Sequence, residues 1–262
     1  MGKTFVENVF SLKLGTDTTA GDFVEVVPDV AMSHDNTAAV SLWFEKLGVS
    51  TVFDPDIHFI ILDHTTPAPS ETHAINHKRV REFVNKHGIK NFYELNNGIC
   101  HQVLPEEGFA APGKIIVGTD SHTTTYGAFG AFSTGIGRSE MAVIFATGKI
   151  WFRIPETLKI TVHGKLPEGI TAKDVILYII GDLGADGALY RSIEFYGDTI
   201  SDLSISGRMT IANMSVEMGA KNGFMEPDEK TRQWLQSRVR SKYDVVTADP
   251  DAIYDSEKSY DV

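Results

Sequence analysis

Two short apolar runs end in acid–histidine pairs, and this repetition limits the folds open to the chain. HFIILDH at 58–64 is built of β-branched and bulky residues and delivers Asp63 and His64 at its carboxyl tip. KIIVGTDSH at 114–122 does the same with Asp120, Ser121 and His122. Both read as buried strands. Segments with helical spacing alternate with them: 4–14, 41–49, the amphipathic stretch 70–88 with Gly88 as its stop, and 139–152 with Ser139 as its cap. The segment 21–37 starts as a strand and ends in a polar turn. Strands alternating with helices predict an α/β fold on a parallel sheet. In such sheets ligands bind in the crevice at the carboxyl ends of the strands. The two acid–histidine tips therefore stand where this architecture puts chemistry.

The texture changes near residue 155. A strand runs through PETLKITVHG, and the helix 171–184 has Thr171 as cap, Asp174 as the acid three residues on and Gly184 as its stop. SIEFYGDTI at 192–200 reads as another strand. The stretch 210–223 reads as a helix carrying Asn213 and Glu217, which four-residue spacing would put on one face. The expected organisation is one α/β domain over 1–154, a second over 155–245, and an acidic, aperiodic linker or tail over 246–262.

Composition removes several function classes. The chain has 262 residues and a formal net charge of -11, which disfavours nucleic-acid binding. Its only cysteine is Cys100, so a disulfide framework and a site of several thiolates are both excluded for this sequence. A single thiol suits a reducing compartment, and a cytoplasmic location is expected. No apolar stretch reaches the roughly 18 residues of a membrane span, and the first residues lack the pattern of a secretory signal.

The polar candidates are His34 with Asp35, Asp63 with His64, His101, the Asp120-Ser121-His122 run, and Asn213 with Glu217. Each alone reads as readily as a turn, a cap or a solvated face. His73, His77 and His87 fall on the amphipathic helix 70–88 and are expected to be inert. GIGRSE does not match a dinucleotide fingerprint. Together the pairs are more informative. A carboxylate beside an imidazole sets its tautomer and raises its basicity. Several such pairs facing one crevice make a proton-relay site.

The stretches DVAMSHDNT, ILDHTTPA, GICHQVLPEEGFAAPGKIIVGTDSHT, YGAFGAFSTGIGRSEMA, PETLKITVHGKL and MTIANMSVEMGAKNGFMEPDEKT follow one another in the order of a known family. The chain resembles the aconitase family of iron–sulfur hydro-lyases, and within it the large subunits of archaeal-type isopropylmalate and homoaconitate dehydratases. The resemblance covers nearly the whole chain. It implies three-layer α/β/α domains with parallel sheets, and dehydration and rehydration of a hydroxy-di- or tricarboxylate at a [4Fe-4S] cluster. Isomerisation of 2- to 3-isopropylmalate, a step of leucine biosynthesis, is the first expectation; homoaconitate and dimethylmalate share the motifs. By motif, His64 beside Asp63 would protonate the leaving hydroxyl, Asp120 would pair with His101, and His122 with Glu217. Ser121 and His34 would contact substrate, and Asn213 would sit by the cluster.

Two departures accompany the resemblance. The family's cluster cysteines lie in a Gly-Ser-Cys-Thr-Asn motif and a Cys-x-x-Cys motif, and neither occurs here. Cys100 matches no ligand position. Tyr126 stands where relatives carry a histidine. The expectation is a portion of a large subunit without the third, cluster-binding domain, holding no cluster or metal and inactive alone. Its expected partner is the small, swivel-domain subunit, and self-association through the face left by the missing domain is also expected. Two alternatives remain: a naturally short, non-catalytic partner of the small subunit, and a metal site built on His34, His64, His101 and His122.

Overall fold

The structure, a computed structural model, describes residues 2–262. In chain order the first half holds α1 (Phe5–Leu14), β1 (Phe23–Val26), β2 (Val30–Ser33), α2 (Thr37–Lys46), β3 (His58–Ile61), α3 (Glu71–His87), β4 (Asn91–Tyr93) and α4 (Cys100–Glu106). It continues through β5 (Ile115–Gly118), a 3-10 helix (Ser121–Phe129), β6 (Phe132–Gly135), α5 (Arg138–Thr147) and β7 (Ile150–Arg153). The second half holds β8 (Thr157–His163), α6 (Ala172–Leu183), β9 (Ser192–Tyr196), α7 (Asp198–Asp202), α8 (Ile205–Met214), β10 (Asn222–Met225), α9 (Glu229–Gln236) and β11 (Ser256–Asp261).

The helix boundaries follow local chemistry. Thr4 opens α1 by donating its backbone N–H to Glu7 Oε2 (2.8 Å), and Gly15 closes it at φ 66°. The same box opens α6, where Thr171 N–H donates to Asp174 Oδ2 at 2.8 Å. The α5 boundary differs from expectation. Gly137, not Ser139, is its cap, and the helix stops at Thr147, so that Ile150–Arg153 is free to pair antiparallel with β1.

Five parallel strands form the main sheet in the order β4-β3-β2-β5-β6. The chain fills one side of β2 and then returns to fill the other. The direction of winding reverses between β2 and β5, which is the switch point where such sheets open a crevice. Alternation along the strands covers both faces. Ala31, Ile60, Ile115 and Val117 face the core built by α1, α2, α3 and α5. Met32, Phe59, Ile61 and Ile116 face the core built by α4, the 3-10 helix, α8 and α9.

A second parallel sheet, β10-β9-β8-β11, packs one face on α6 and α8. Its outer strand corrects the expected tail. Ser256–Asp261 pairs along its full length with β8, and before it Asp249 accepts from the Lys3 backbone N–H (2.8 Å) and the Asn8 amide (3.0 Å). The strand sequence SEKSYD has no apolar alternation because it lies at an edge with its side chains largely exposed, so the backbone ladder holds it. Among the described residues no helix is long and apolar enough to cross a membrane.

The two sheets meet where the 3-10 helix lies against β10 and α8. A Cβ at Gly127 would stand 2.1 Å from the Gly223 carbonyl oxygen. Gly127→Ala must force these backbones apart, and overpacking of this kind costs about 3 kcal/mol. A urea midpoint unchanged from wild type would show that the contact can relax and carries no such constraint.

Candidate functional site

The crevice between β2 and β5 collects the ends of three strands. His34 and Asp35 follow β2, Asp63 and His64 follow β3, and Asp120 follows β5 as the cap of the 3-10 helix. Asp35 holds the first two tips together. It accepts from the backbone N–H groups of Asp63 (3.0 Å) and His64 (2.8 Å), from the Thr65 hydroxyl (2.5 Å) and from His77 Nε2 (2.7 Å). Burial raises its affinity for a proton, but the surrounding donors outweigh that and hold the carboxyl well below the usual carboxylate range.

His64 lies between two carboxylates. Its Nδ1 is 2.5 Å from Asp63 Oδ1 and its Nε2 is 3.0 Å from Asp120 Oδ2. Asp120 first and Asp63 second raise its pKa to about 10, against a smaller opposing effect of burial. The ring is an imidazolium at neutral pH, with both nitrogens donating. Asp120 is shared: its Oδ1 also meets His101 Nε2 at 2.9 Å and accepts the His122 backbone N–H at 2.8 Å. Burial raises the Asp120 carboxyl, and the histidine donors then carry it far below its ordinary value.

His34 stacks on His64 with ring centroids 3.9 Å apart. Its tautomer follows from a neighbour. Thr119 donates its hydroxyl to Asn36 Oδ1 (2.7 Å) and accepts from Asn36 Nδ2 at its carbonyl (3.1 Å), which fixes the amide. Nδ2 then also donates to His34 Nε2 (2.7 Å), so the imidazole hydrogen sits on Nδ1.

The second half closes the site from above. His122 Nε2 is 3.1 Å from Glu217 Oε1, and its Nδ1 is 3.2 Å from the Ser121 hydroxyl. Asn213 donates to Thr125 Oγ1 (2.9 Å), and Thr124 donates to the Asn213 carbonyl (3.1 Å). Asn213 and Glu217 do not share one helix face as expected, because α8 ends at Met214 and a 3-10 turn over Ser215–Met218 carries Glu217. Asp120, Ser121, His34 and Asn36 border a cavity of about 700 Å³, which residues 135–138, Glu140, Leu189, Tyr190 and Lys221 also line.

The structure brings His34, Asp63, His64, His101, Asp120, Ser121, His122 and Glu217 into one network and turns Asn213 toward the 3-10 helix behind it. Sequence reasoning missed His77. It is 2 % exposed and grips Asp35, so the expectation of an inert solvated residue is overturned. The signal was present: His77, Val80 and Val84 repeat at helical spacing on the buried face of α3. Tyr126 is fully buried and donates its hydroxyl to the Cys100 carbonyl (3.1 Å).

Two groups bear on cofactors. His34, Asp35, Asp63 and His64 offer ligand atoms within 4.8 Å of one another, but Asp35, Asp63 and His64 already spend these atoms on the hydrogen bonds above. Cys100 is fully buried, its backbone N–H donates to Asp63 Oδ2 (2.7 Å), and burial followed by the nearby Asp63 carboxylate pushes its thiol up. It does not present a thiolate to the crevice.

Comparison with known proteins places this geometry in a wider set. A sequence profile described as "Aconitase family (aconitate hydratase)" matches residues 7–261. The "3-isopropylmalate dehydratase large subunit 1" of Methanopyrus kandleri is 49% identical over 263 residues, covering 100% of this chain and 63% of that protein. The "Probable methanogen homoaconitase large subunit" of Methanosarcina mazei is 52% identical, covering 89% of this chain and 60% of that protein. The "3-isopropylmalate dehydratase large subunit" of Aquifex aeolicus is 45% identical, covering 100% and 61%. The chain thus spans about 60% of the length of the curated relatives it matches.

Proposed function

The chain belongs to the aconitase family, and from that premise we propose that it forms part of a hydro-lyase large subunit acting on a hydroxy-di- or tricarboxylate. The single observation that carries this reading is the His64 ring held between the Asp63 and Asp120 carboxylates at the switch point of the sheet. The names of the relatives favour interconversion of 2- and 3-isopropylmalate, with homoaconitate chemistry next. The small, swivel-domain subunit is the proposed partner. Residues 1–154 and the residues from 155 on are proposed as two domains, the second taking in β11 beyond residue 245, in line with their separate parallel sheets.

The family implies a [4Fe-4S] cluster in the complete enzyme. The residues present do not fit one, because a buried, protonated Cys100 cannot replace three thiolates. The cluster ligands are proposed to lie outside these residues. The chain's own contribution is the handling of protons and of substrate oxygens.

His64 carries the proton that leaves with the substrate hydroxyl. As the C–O bond breaks, the Nε2 proton passes to the departing oxygen and water forms, while a base outside these residues takes the proton of the neighbouring carbon and the C–H electron pair becomes the alkene bond. In the resting arrangement this proton faces Asp120. A substrate oxygen that takes the place of Asp120 removes the largest contribution to the raised pKa, so the ring becomes a stronger acid when substrate is bound. Asp63 stays on Nδ1 and keeps the ring in orientation. Asp120 retains His101 and the His122 backbone N–H as donors. Ser121, at the rim of the cavity, supplies a hydroxyl to a substrate carboxylate.

The test is turnover. The complete large subunit with its small subunit is expected to dehydrate 3-isopropylmalate to the alkene, and the 262-residue chain alone is expected to give none. Turnover by the isolated chain would overturn the assignment of the electrophile to other residues. A complete, cluster-loaded assembly that dehydrates neither isopropylmalate nor homoaconitate would overturn the hydro-lyase reading.

A further inference from the structure

The cavity lined by Asp120 and Ser121 carries two cations that the proton network does not use. Arg138 is the first residue of α5, and Lys221 precedes β10; both line the cavity of about 700 Å³. Other cations are neutralised: Lys149 pairs with Glu25 (2.7 Å), Arg153 with Glu156 (2.9 Å) and Arg191 with Asp255 (2.9 Å). Among the described residues, Arg138 and Lys221 take part in no such salt bridge. Glu140 lines the same cavity, but its carboxylate is turned back to the α5 cap, where it accepts from Gly137 N–H at 2.6 Å.

Lys221 is held in place. Its ammonium lies 5.0 Å from the centroid of the Tyr190 ring, and its backbone N–H donates to the Arg191 carbonyl (2.8 Å). Tyr190 adopts φ 60°, a left-handed backbone conformation that is costly for a bulky residue. Its backbone N–H is tied to the Gly219 carbonyl (3.0 Å), and its side chain borders the cavity. Strain of this kind concentrates where a side chain must be aimed. Burial lowers the Lys221 pKa against a smaller opposing effect of the Glu140 carboxylate, which forms no salt bridge with it. The rest of the crevice is rich in carboxylates and the chain carries a net charge of -11, so a polyanionic substrate needs local positive charge to enter.

We propose that Lys221 and Arg138 form a clamp for one carboxylate of the substrate, in the cavity that Asp120 and Ser121 also line. This assignment deepens the hydro-lyase reading and rests on it for the identity of the ligand. The clamp takes a carboxylate remote from the leaving hydroxyl, which holds the hydroxyl-bearing carbon over the Asp120 side. A dicarboxylate can then reach both the clamp and the Ser121 hydroxyl, whereas a monocarboxylate can engage only one of them.

The experiment is calorimetric titration of the 262-residue chain with 3-isopropylmalate, with malonate as a plain dicarboxylate and acetate as the monocarboxylate control. Loss of a charge-assisted contact corresponds to about tenfold weaker binding. Lys221→Gln and Arg138→Gln are each expected to weaken both dicarboxylates by about that factor, while Lys221→Arg keeps wild-type affinity; acetate, which can engage only the clamp, is expected to bind the wild-type chain more weakly than either dicarboxylate and to be weakened by the same two glutamine variants. Arg138 is solvent-exposed, so its variant folds whether or not the Lys221 variant does. Wild-type affinity in both glutamine variants, or no dicarboxylate binding by the wild-type chain, would overturn the clamp. The two readings fail separately. Dicarboxylate binding that depends on both cations, with no dehydration by the complete assembly, sinks the hydro-lyase reading and leaves the clamp. Dehydration by the complete assembly with both glutamine variants unaffected in KM does the reverse.

Discussion

His64→Ala in the complete enzyme is expected to lower kcat by about 10²- to 10⁴-fold, the range for loss of a positioned proton donor, with KM close to wild type. The split matters more than the size. A residue that delivers a proton acts in the transition state, so its loss falls on turnover. A residue that only binds substrate loses KM and spares kcat. An equal loss in both would remove the proton-donor role. The protonation state can be read on this chain directly, because ¹⁵N NMR of the ring distinguishes an imidazolium from either neutral tautomer. Both nitrogens should stay protonated well above neutral pH, up to about pH 10. The linkage has a definite sign. The folded pKa lies above the unfolded value, so the stabilisation His64 contributes is complete below about pH 6.5 and is lost as pH rises toward 10. Asp63→Asn, which removes one flanking charge, should bring the ring's titration down.

Asp35→Ala is expected to cost about 3–5 kcal/mol of stability, the range for breaking a buried charged pair from one side. The carboxylate is 8 % exposed, and its removal leaves two backbone N–H groups, the Thr65 hydroxyl and His77 without their acceptor. A urea unfolding curve measures the loss. Asp35→Asn separates charge from shape, since it keeps the volume and one acceptor oxygen. The acid limb gives an independent check. The folded carboxyl titrates below its unfolded value, so its contribution is complete above about pH 4 and is lost as pH falls toward the folded value. The asparagine variant should lack that part of the acid sensitivity. An alanine variant within 1 kcal/mol of wild type would mean that water replaces the carboxylate and that the strand tips hold themselves.

Much of this protein was determined within short windows of sequence. Whether a segment becomes strand or helix depends on neighbours a few residues away, and so does a capping box such as Thr171–Asp174 or a stop such as Gly88. The strand tips Asp63-His64 and Asp120-Ser121-His122 were legible because a parallel sheet places its strand ends at the crevice. The family motifs named the partners His101 and Glu217. What sequence reading missed depends on which residues meet across long separations. The Asp120 carboxylate serves His64, 56 residues away, and His101, 19 residues away, only because the strand order reverses between β2 and β5. His77 belongs to the site because α3 turns it inward onto Asp35, a fact that its place in a charged helix concealed. Ser256–Asp261 is a strand because β8 offers an unpaired edge, and nothing in its side chains announces it. Local propensity acts over a turn or two of chain, whereas burial, shared carboxylates and backbone ladders are set only when distant segments are brought into contact.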